Sequence, residues 1–221
     1  MGRRYHQYCP VARALDVAGD RWTLLVAREL LLGPRRFTDL ADGLPGIGSS
    51  VLAARLKELE HHGLVAKRTL PPPAASVVYE LTDQARGLAR VLAALADWGM
   101  SLLGHRGPED TVDPRWLVLA LAVTAKPPHS LREATYELRV DDQAFQIRSN
   151  HDRLQVAQGA ASSASATIEM TADTLAAIAS GHLDIGSARA DQLIAVDGDV
   201  AGARRLLEAL GQIRVSTDTG Q

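Results

Sequence analysis

Residues 34–68 read PRRFTDLADGLPGIGSSVLAARLKELEHHGLVAKR, and this stretch decides the fold of the first half of the chain. Its leucines at positions 52, 56, 59 and 64 recur at helical spacing and predict a helix with one apolar face. Ser49 and Ser50 stand where the N-cap of this helix is expected, and Gly63 stands where such a helix ends. A shorter helix precedes it, so the stretch predicts two helices joined by the tight turn at Pro45.

Two strand patterns follow the second helix. The first lies at 64–68 and the second at 77–81, with the prolines of positions 71–73 between them. Two helices followed by such a hairpin form the layout of a winged helix-turn-helix, which places its second helix in the major groove of DNA. Taken alone, the second helix also fits an ordinary helical hairpin with a solvated basic face, and the strands that follow favour the winged form.

The face of the second helix opposite the leucines carries small and basic side chains. Small residues let the helix backbone approach base edges, whereas arginine and lysine reach phosphates or guanine. We therefore expect double-stranded DNA as a partner. The groove contacts expected from this helix are Ser49, Ser50, Ala54, Arg55 and Lys57. Further contacts are expected from Arg35 and Arg36 at the start of the preceding helix and from Lys67 and Arg68 in the wing.

Residues 9–99 resemble the HxlR-type regulators, a branch of the bacterial winged-helix regulators related to the MarR type. The matching segments are, in this order, Cys9-Pro10-Val11, ALDVAGDRWTLLVARELLLGPRRF, LPGIGSSVLAARLKELEHHGLV, VVYELT and Ala96-Asp97-Trp98-Gly99. The resemblance implies a dimeric transcription factor that binds a roughly two-fold symmetric operator.

A long helix is expected after Thr82, running to about Leu103. Its apolar residues form a stripe wider than the terminal helix of a small domain usually buries. We expect this stripe and the first helix, which begins at Pro10, to form the seam of a homodimer, and the alternative is packing inside the monomer. The stripe consists of Leu88, Val91, Leu92, Leu95, Trp98 and Leu102.

Composition and cysteine content narrow the class of protein. Of the 221 residues, 46% are apolar and only 4% aromatic, so aliphatic side chains must build the cores. The apolar run that starts at Trp116 is too short to cross a bilayer, and the N-terminus lacks the apolar segment of a signal peptide. A single cysteine cannot form an internal disulfide. We expect a cytoplasmic protein with no membrane partner.

The net charge differs between the two halves of the chain. Residues 1–105 carry a net charge of +3, and residues 106–221 carry −5. The positive half holds the predicted helix-turn-helix, whereas an acidic half is poorly suited to nucleic acid. Residues 105–110 are polar and contain glycine and proline, as linkers do. We therefore expect a DNA-binding and dimerisation domain at 1–105 and a second domain at 113–221.

The second half alternates apolar and polar residues in four segments that predict half-buried strands. These segments are Thr135–Val140, Ala144–Ser149, Leu154–Gln158 and Ala166–Met170. One helix pattern begins at Pro114 and precedes the strands. Three more helix patterns follow the strands and begin after Thr171, near Ser187 and after Asp199. A meander of strands followed by helices makes an α+β domain.

This half resembles the sterol-carrier-protein-like fold. The resemblance is carried by ATIEMTADTLAAIASGHLD from Ala166 and by IAVDGDVAGARRLLEAL from Ile194, and it departs at Ala190-Asp191-Gln192, where the family usually has a glycine. Members hold apolar ligands between a curved sheet and helices, so the resemblance implies an apolar small-molecule effector. The expected wall residues are Trp116, Phe145, Leu175, Ile178 and Leu207. Trp116 and Phe145 fit an ordinary core equally well.

Cys9 is the single thiol, and Pro10 makes it the expected N-cap of the first helix. The partial positive charge of a helix N-terminus stabilises a thiolate, and Arg13 lies on the same helical face. Redox or electrophile sensing through Cys9 is therefore an alternative mode of control, which the resemblance supports because some HxlR-type regulators sense oxidants at this place. The other interpretation is a small capping or packing residue.

Catalytic and metal-binding patterns are missing from the sequence. It has no phosphate loop, nucleophile elbow or HExxH motif, and the adjacent His61 and His62 would point about 100° apart on a helix. We expect no enzymatic activity, no cofactor and no metal. The leading hypothesis is a homodimeric, ligand-responsive transcriptional regulator. The rival is a lipid or polyketide carrier whose winged helix is a dimerisation scaffold, although a scaffold would not need the basic residues.

Overall fold

The structure is a computed structural model that describes residues 4–73, 75–100, 102, 107, 109–150 and 153–211. The chain divides into two compact units, Met1–Ala89 and Arg90–Gln221. This division falls inside a helix that the sequence assigns to the first domain. Residues 105, 106 and 108 of the expected linker lie outside the described residues, so the boundary at 105 stays a prediction.

The first unit has the predicted order of two helices followed by a hairpin. Two further helices come before them, and a short 3-10 helix, Gln84–Gly87, comes after them. The elements are α1 (Pro10–Ala18), α2 (Thr23–Leu31), α3 (Phe37–Asp42), α4 (Ser49–His61), β1 (Val65–Thr69) and β2 (Val77–Leu81).

The apolar face of α4 lies at the centre of the core of this unit. Leu52, Leu56 and Leu59 are each at most 2% exposed. They pack in one cluster with Val26, Leu30, Leu40, Leu44 and Val65. Burial of one leucine side chain stabilises a fold by about 1.5–3 kcal/mol, so this face holds α4 firmly on α2 and α3.

The hairpin is antiparallel, and Arg35 pairs with it as an isolated β-bridge residue. Val65 lies opposite Leu81, and Thr69 lies opposite Val77. Tyr79 N–H donates to the Arg35 carbonyl at 2.7 Å, and Arg35 N–H donates back to the Tyr79 carbonyl at 2.9 Å. The bridge attaches the start of α3 to the wing. It was not predicted, because a single residue carries no strand pattern.

The predicted C-terminus of α4 is confirmed, and the predicted N-cap is wrong. Gly63 has a φ of +68°, the left-handed conformation that ends helices, and Leu64 N–H donates to the Leu59 carbonyl at 2.9 Å. The N-cap is Gly48, and Ser49 is already helical. The extended Gly48 begins the helix, since its carbonyl accepts from Leu52 N–H at 3.0 Å, and no side-chain cap hydrogen bond forms at this end.

The long helix expected after Thr82 begins later than predicted. The Thr82 hydroxyl donates to the Gly63 carbonyl at 2.7 Å, and the 3-10 helix separates Thr82 from α5 (Leu88–Met100). No residue of α5 is buried. Val91, Leu95 and Trp98 are 46%, 38% and 65% exposed, so the apolar stripe of α5 is open to solvent in this single chain.

The second unit has the predicted α+β composition. Its elements after α5 are α6 (Pro114–Thr124), β3 (Ala134–Val140), β4 (Gln143–Asn150), β5 (Arg153–Gln158), β6 (Ala166–Met170), α7 (Ala172–Ala179), α8 (Ile185–Ala190), β7 (Ala195–Gly198) and α9 (Val200–Leu210). Each of the four predicted strands and the helices at Pro114, Thr171 and Asp199 is confirmed within about one residue.

The strand order corrects the predicted meander. The sheet runs β5-β4-β3-β6-β7, and β3 pairs with β6 in parallel, with Leu138 opposite Ile168. After β5 the chain therefore returns to the free edge of β3 instead of adding to the outer edge of β5. This placement makes β3 the central strand, because two strands lie on each side of it.

One face of the sheet is apolar and is covered by helices. Leu138, Phe145, Ile147 and Ile168 are fully buried on it. The helices add Leu121, Leu175 and Leu206 to the same cluster. Side chains cap the helices that cover the sheet: Asp113 accepts from Arg115 N–H, Thr171 from Thr174 N–H and Asp199 from Gly202 N–H.

The other face of the sheet holds a buried carboxylate that the sequence analysis did not single out. Glu137 Oε2 accepts from Ala161 N–H at 2.7 Å, and Oε1 accepts from Arg139 Nε at 2.7 Å. The Glu137 side chain is 5% exposed, whereas Arg139 also donates to the exposed Glu169 at 2.8 Å. The Ala161 N–H and then Arg139 lower the pKa of Glu137 despite its burial.

We expect Glu137→Gln to lower the free energy of unfolding of this domain by about 1–3 kcal/mol at neutral pH, because the buried Glu137 side chain loses the charge that accepts two hydrogen bonds. The folded-state pKa is depressed, so the carboxylate stabilises the fold above its ordinary value of 4.5, and this contribution is lost as the pH falls through the folded value. Urea unfolding of the full chain at several pH values measures the difference.

The control for this measurement is Glu169→Gln, which changes a 51%-exposed partner of the same arginine. We expect a small effect there, since an exposed ion pair contributes at most about 1 kcal/mol. Equal losses in the two variants would show that burial of Glu137 has no special role.

Candidate nucleic-acid interface

Helix α4 presents the predicted small and basic face to solvent. Its leucines point into the core, and most of the residues between them are exposed because successive side chains on a helix are about 100° apart, whereas Arg55 is half-buried. The exposed residues of this face are Ser49, Ser50, Ala53, Ala54 and Lys57. A surface of this kind lets a helix backbone approach another molecule closely, and the exposed Lys57 lies on its rim.

Arg35 and Arg36, the two phosphate contacts predicted at the start of α3, differ in their exposure to solvent. Arg36 is exposed, and its Nε donates to the Ser76 hydroxyl at 3.1 Å, next to the wing. Arg36 N–H also donates to Asp39 Oδ2 at 3.1 Å. Arg35 is half-buried, and its backbone is fixed by the bridge to Tyr79. Arg36 is therefore the more accessible of the two cations.

The wing carries Lys67 and Arg68 on adjacent positions of β1, and both are exposed. Lys67 Nζ lies 5.9 Å from the ring centroid of Tyr79. Arg68 donates to both carboxylate oxygens of Glu80 across the hairpin, at 3.1 and 2.9 Å. The charge of Arg68 is thus compensated within the wing, whereas Lys67 lies near the uncharged ring of Tyr79.

The structure surrounds Arg55 with carboxylates. Its Nη1 forms an ion pair with Asp20 Oδ2 and another, at 2.6 Å, with Glu58 Oε2. The Arg55 side chain is 21% exposed. Asp20 lies between α1 and α2, 35 positions before Arg55, and nothing in the sequence pattern pointed to this contact.

A cavity of about 700 Å³ lies beside α4 and is lined by α1, the segment after it and the second half of α4. Its walls combine the acids Asp16, Asp20 and Glu58 with several bases. The bases include Arg13, Arg55 and Lys57. Because the two signs alternate, this cavity does not attract anions over its whole surface.

Cys9 is the N-cap residue of α1, as the sequence predicted. Its backbone is extended, and its carbonyl accepts from Arg13 N–H at 2.9 Å. The side chain is half-buried and makes no capping hydrogen bond. The Arg13 guanidinium lies 3.5 Å from Asp16 Oδ2, so a carboxylate already accompanies the cation that was expected to support a thiolate.

The predicted ligand-binding residues of the second unit are mostly brought together. Phe145, Leu175, Ile178 and Leu207 belong to one buried apolar cluster and are each at most 5% exposed. Trp116 is half-buried on α6 and is not part of this cluster as described. A polar cavity of about 230 Å³ lies on the opposite face of the sheet, beside Arg139 and Glu169.

Among the helices of the described residues, none has both the length and the apolar character that a membrane crossing requires.

Two protein-family models match the chain. The model of the HxlR-like helix-turn-helix matches residues 17–106, and the model of the SCP-2 sterol transfer family matches residues 126–211. The first match contains α2, α3, α4, the hairpin and α5. The second contains the five-stranded sheet and the helices from α7 onward.

Several curated relatives match the chain over less than half of its length, and two of them illustrate the similarity. The uncharacterized HTH-type transcriptional regulator YvaP of Bacillus subtilis is 36% identical over 93 residues, which are 42% of this chain and 86% of YvaP. The uncharacterized HTH-type transcriptional regulator sll1512 of Synechocystis is 36% identical over 110 residues, 45% of this chain and 82% of that protein. Among solved structures, the reduced form of the transcriptional regulator YodB from B. subtilis is 32% identical, covers 47% of this chain and 100% of its own, and has a TM-score of 0.39.

Proposed function

The chain belongs to the HxlR-like helix-turn-helix family and carries a C-terminal SCP-2 sterol transfer family domain, and on this premise we propose a homodimeric DNA-binding transcriptional regulator controlled by an apolar small molecule. The N-terminal domain binds the operator. The C-terminal domain holds the effector, and its occupancy changes operator affinity.

The observation that carries the DNA-binding part is the two-faced character of α4. Three leucines bind the helix to the core, and the opposite face exposes small residues and Lys57. A helix with these properties, followed by a hairpin, fits the recognition helix and wing of a winged helix-turn-helix. In this proposal Ser49, Ser50 and Ala54 face the bases.

The basic residues around α4 contact the phosphates. In this proposal the phosphate contacts come from Lys57 on α4, from Arg36 and the half-buried Arg35 at the start of α3, and from Lys67 and Arg68 in the wing. Arg68 must share its guanidinium with Glu80, so Lys57, Lys67 and Arg36 contribute most of the attraction. Neutralised phosphates release counterions, and the affinity therefore depends on salt.

We expect Lys57→Ala to weaken operator binding and to reduce the slope of log K against log salt by about 0.9 for each lysine that contacts a phosphate, hence about twice that in a dimer. The operator is first recovered by selecting genomic fragments with the purified protein. Fluorescence anisotropy at several salt concentrations then gives the slope.

Lys126→Ala is the matched control, because Lys126 is also an exposed lysine but lies in the second unit. Its slope should equal that of the wild type. A wild-type protein that selects no fragment would refute DNA binding, and an unchanged slope in Lys57→Ala would remove Lys57 from the interface.

Dimerisation is supported by exposed apolar side chains on two helices. Tyr8 and Val11 of the α1 region are exposed, as are Val91, Leu95 and Trp98 of α5. Single apolar residues on a surface are common, but a stripe at helical spacing marks an interface. A two-fold axis through this seam makes both copies bury the same residues, which matches a symmetric operator.

We expect Leu95→Asp to weaken the dimer and the operator complex together, because burial of one leucine contributes about 1.5–3 kcal/mol and each copy of the seam contains it. Sedimentation velocity gives the oligomeric state, and anisotropy gives the affinity. Leu193→Asp changes a leucine of similar exposure, 44% against 38%, outside the seam and should leave both values unchanged. A monomeric wild type that binds two half-sites tightly would contradict the proposal.

Control by an apolar molecule is supported by the family of the second domain and by its aliphatic interior. Phe145, Leu175, Ile178 and Leu207 line one apolar cluster between the sheet and the helices. A ligand there alters operator affinity only through its different affinities for the two states of the dimer, typically by about 1–3 kcal/mol of coupling. Sensing through Cys9 stays an alternative prediction.

We expect native mass spectrometry of freshly purified protein to show a bound apolar species, and we expect its removal by organic extraction to change operator affinity about 5- to 150-fold. Adding the extract back should restore the original affinity. Ligand binding without any effect on DNA would favour the rival lipid or polyketide carrier. An empty protein that gains no ligand from a lipid extract would refute ligand control.

A further inference from the structure

We infer that Asp20 and Arg55 form a positioning pair that sets the orientation of the recognition helix, and that Arg55 itself does not contact a base. The inference rests on the proposed function, because orientation matters only if α4 enters a groove. It replaces the direct contact that the sequence suggests for Arg55 by an indirect one. The pair joins α4 to the segment between α1 and α2, from which Trp22 also packs against the core cluster that holds α4.

The surroundings of Arg55 disfavour a direct DNA contact. One guanidinium nitrogen, Nη1, forms ion pairs with both Asp20 and Glu58. Two carboxylates already occupy the Arg55 guanidinium, so a phosphate that bound Arg55 would have to displace one of them. The Arg55 side chain is only 21% exposed, which further restricts access.

The leucine anchors of α4 set which face of the helix is buried. Leu52, Leu56 and Leu59 are held by apolar contacts, which are less directional than hydrogen bonds. A charged hydrogen bond has a required direction, and Arg55 lies about 100° around the helix from Leu56. The Asp20 contact therefore adds a directional restraint on the rotation of α4 to the one that leucine packing supplies.

The two carboxylates have different consequences for this restraint. Glu58 is one helical turn from Arg55 on α4 itself and can only orient the guanidinium. Asp20 belongs to another part of the unit and is the residue that connects α4 to it. Because Asp20 is 57% exposed, the pair adds little to stability, so loss of orientation can be measured in a folded protein.

The test compares full-length variants on the selected operator and on a scrambled duplex of equal length, over a range of salt concentrations. We expect Asp20→Asn and Arg55→Ala each to lower the ratio of operator affinity to scrambled-duplex affinity about three- to tenfold. The double variant should lower it no further, since both single changes break the same contact. The salt slope should stay at the wild-type value, because no phosphate contact is lost.

Rescue and control variants separate positioning from charge. Asp20→Glu keeps the carboxylate and should restore most of the specificity ratio. Asp42→Asn removes an equal charge from an exposed aspartate on α3 and should leave the ratio unchanged. Thermal unfolding confirms that each variant is folded.

The outcomes that overturn the inference are distinct from those that overturn DNA binding. If Arg55 contacts DNA, Arg55→Ala lowers the salt slope or relaxes specificity at one base pair, and Asp20→Asn raises operator affinity by releasing the cation. An unchanged ratio in Asp20→Asn would also end the inference. A wild-type protein that does not distinguish the operator from the scrambled duplex would instead refute the proposed function.

Discussion

Burial of the leucine face of α4 is the interaction on which the rest of the first domain depends. Leu52, Leu56 and Leu59 contact residues from α2, α3 and β1, so one helix joins three other elements. A helix that buries one face must expose the other, since its side chains repeat every 3.6 residues. The exposure of Ser50, Ala54 and Lys57 is therefore a consequence of core packing.

Charge compensation limits which basic residues are available at this surface. Arg68 is paired with Glu80, and Arg55 is paired with Asp20 and Glu58. An arginine held by a carboxylate has a weaker field at a distance and must break a contact before making another. The formal charge of +3 over residues 1–105 thus says little about individual contacts, and position matters more than number.

The sheet of the second domain, like α4, has one apolar face in the core and one polar face. The inner face is apolar, and the N-terminal turn of α9 rests closely on it: a Cβ at Gly202 would lie 2.7 Å from the Tyr136 hydroxyl. Burial, with the nearby Asp199 carboxylate, raises the pKa of Tyr136. The outer face is polar, and Glu137 with Arg139 holds the loop at Ala161 against β3. A ligand between sheet and helices would have more room away from Gly202 than beside it.

The sequence by itself determined the elements, because helix and strand periods, prolines and capping residues act over a few neighbouring positions. It determined both ends of β6, the starts of α6 and α9, and which face of α4 is buried. Its error at the start of α4 is one residue, because Gly48 is the N-cap and Ser49 is already in the helix. The tertiary structure alone decided the parallel pairing of β3 with β6, the Asp20–Arg55 contact and the burial of Glu137. Each of these joins residues 24 to 35 positions apart, and the choice among such partners depends on packing of the whole domain.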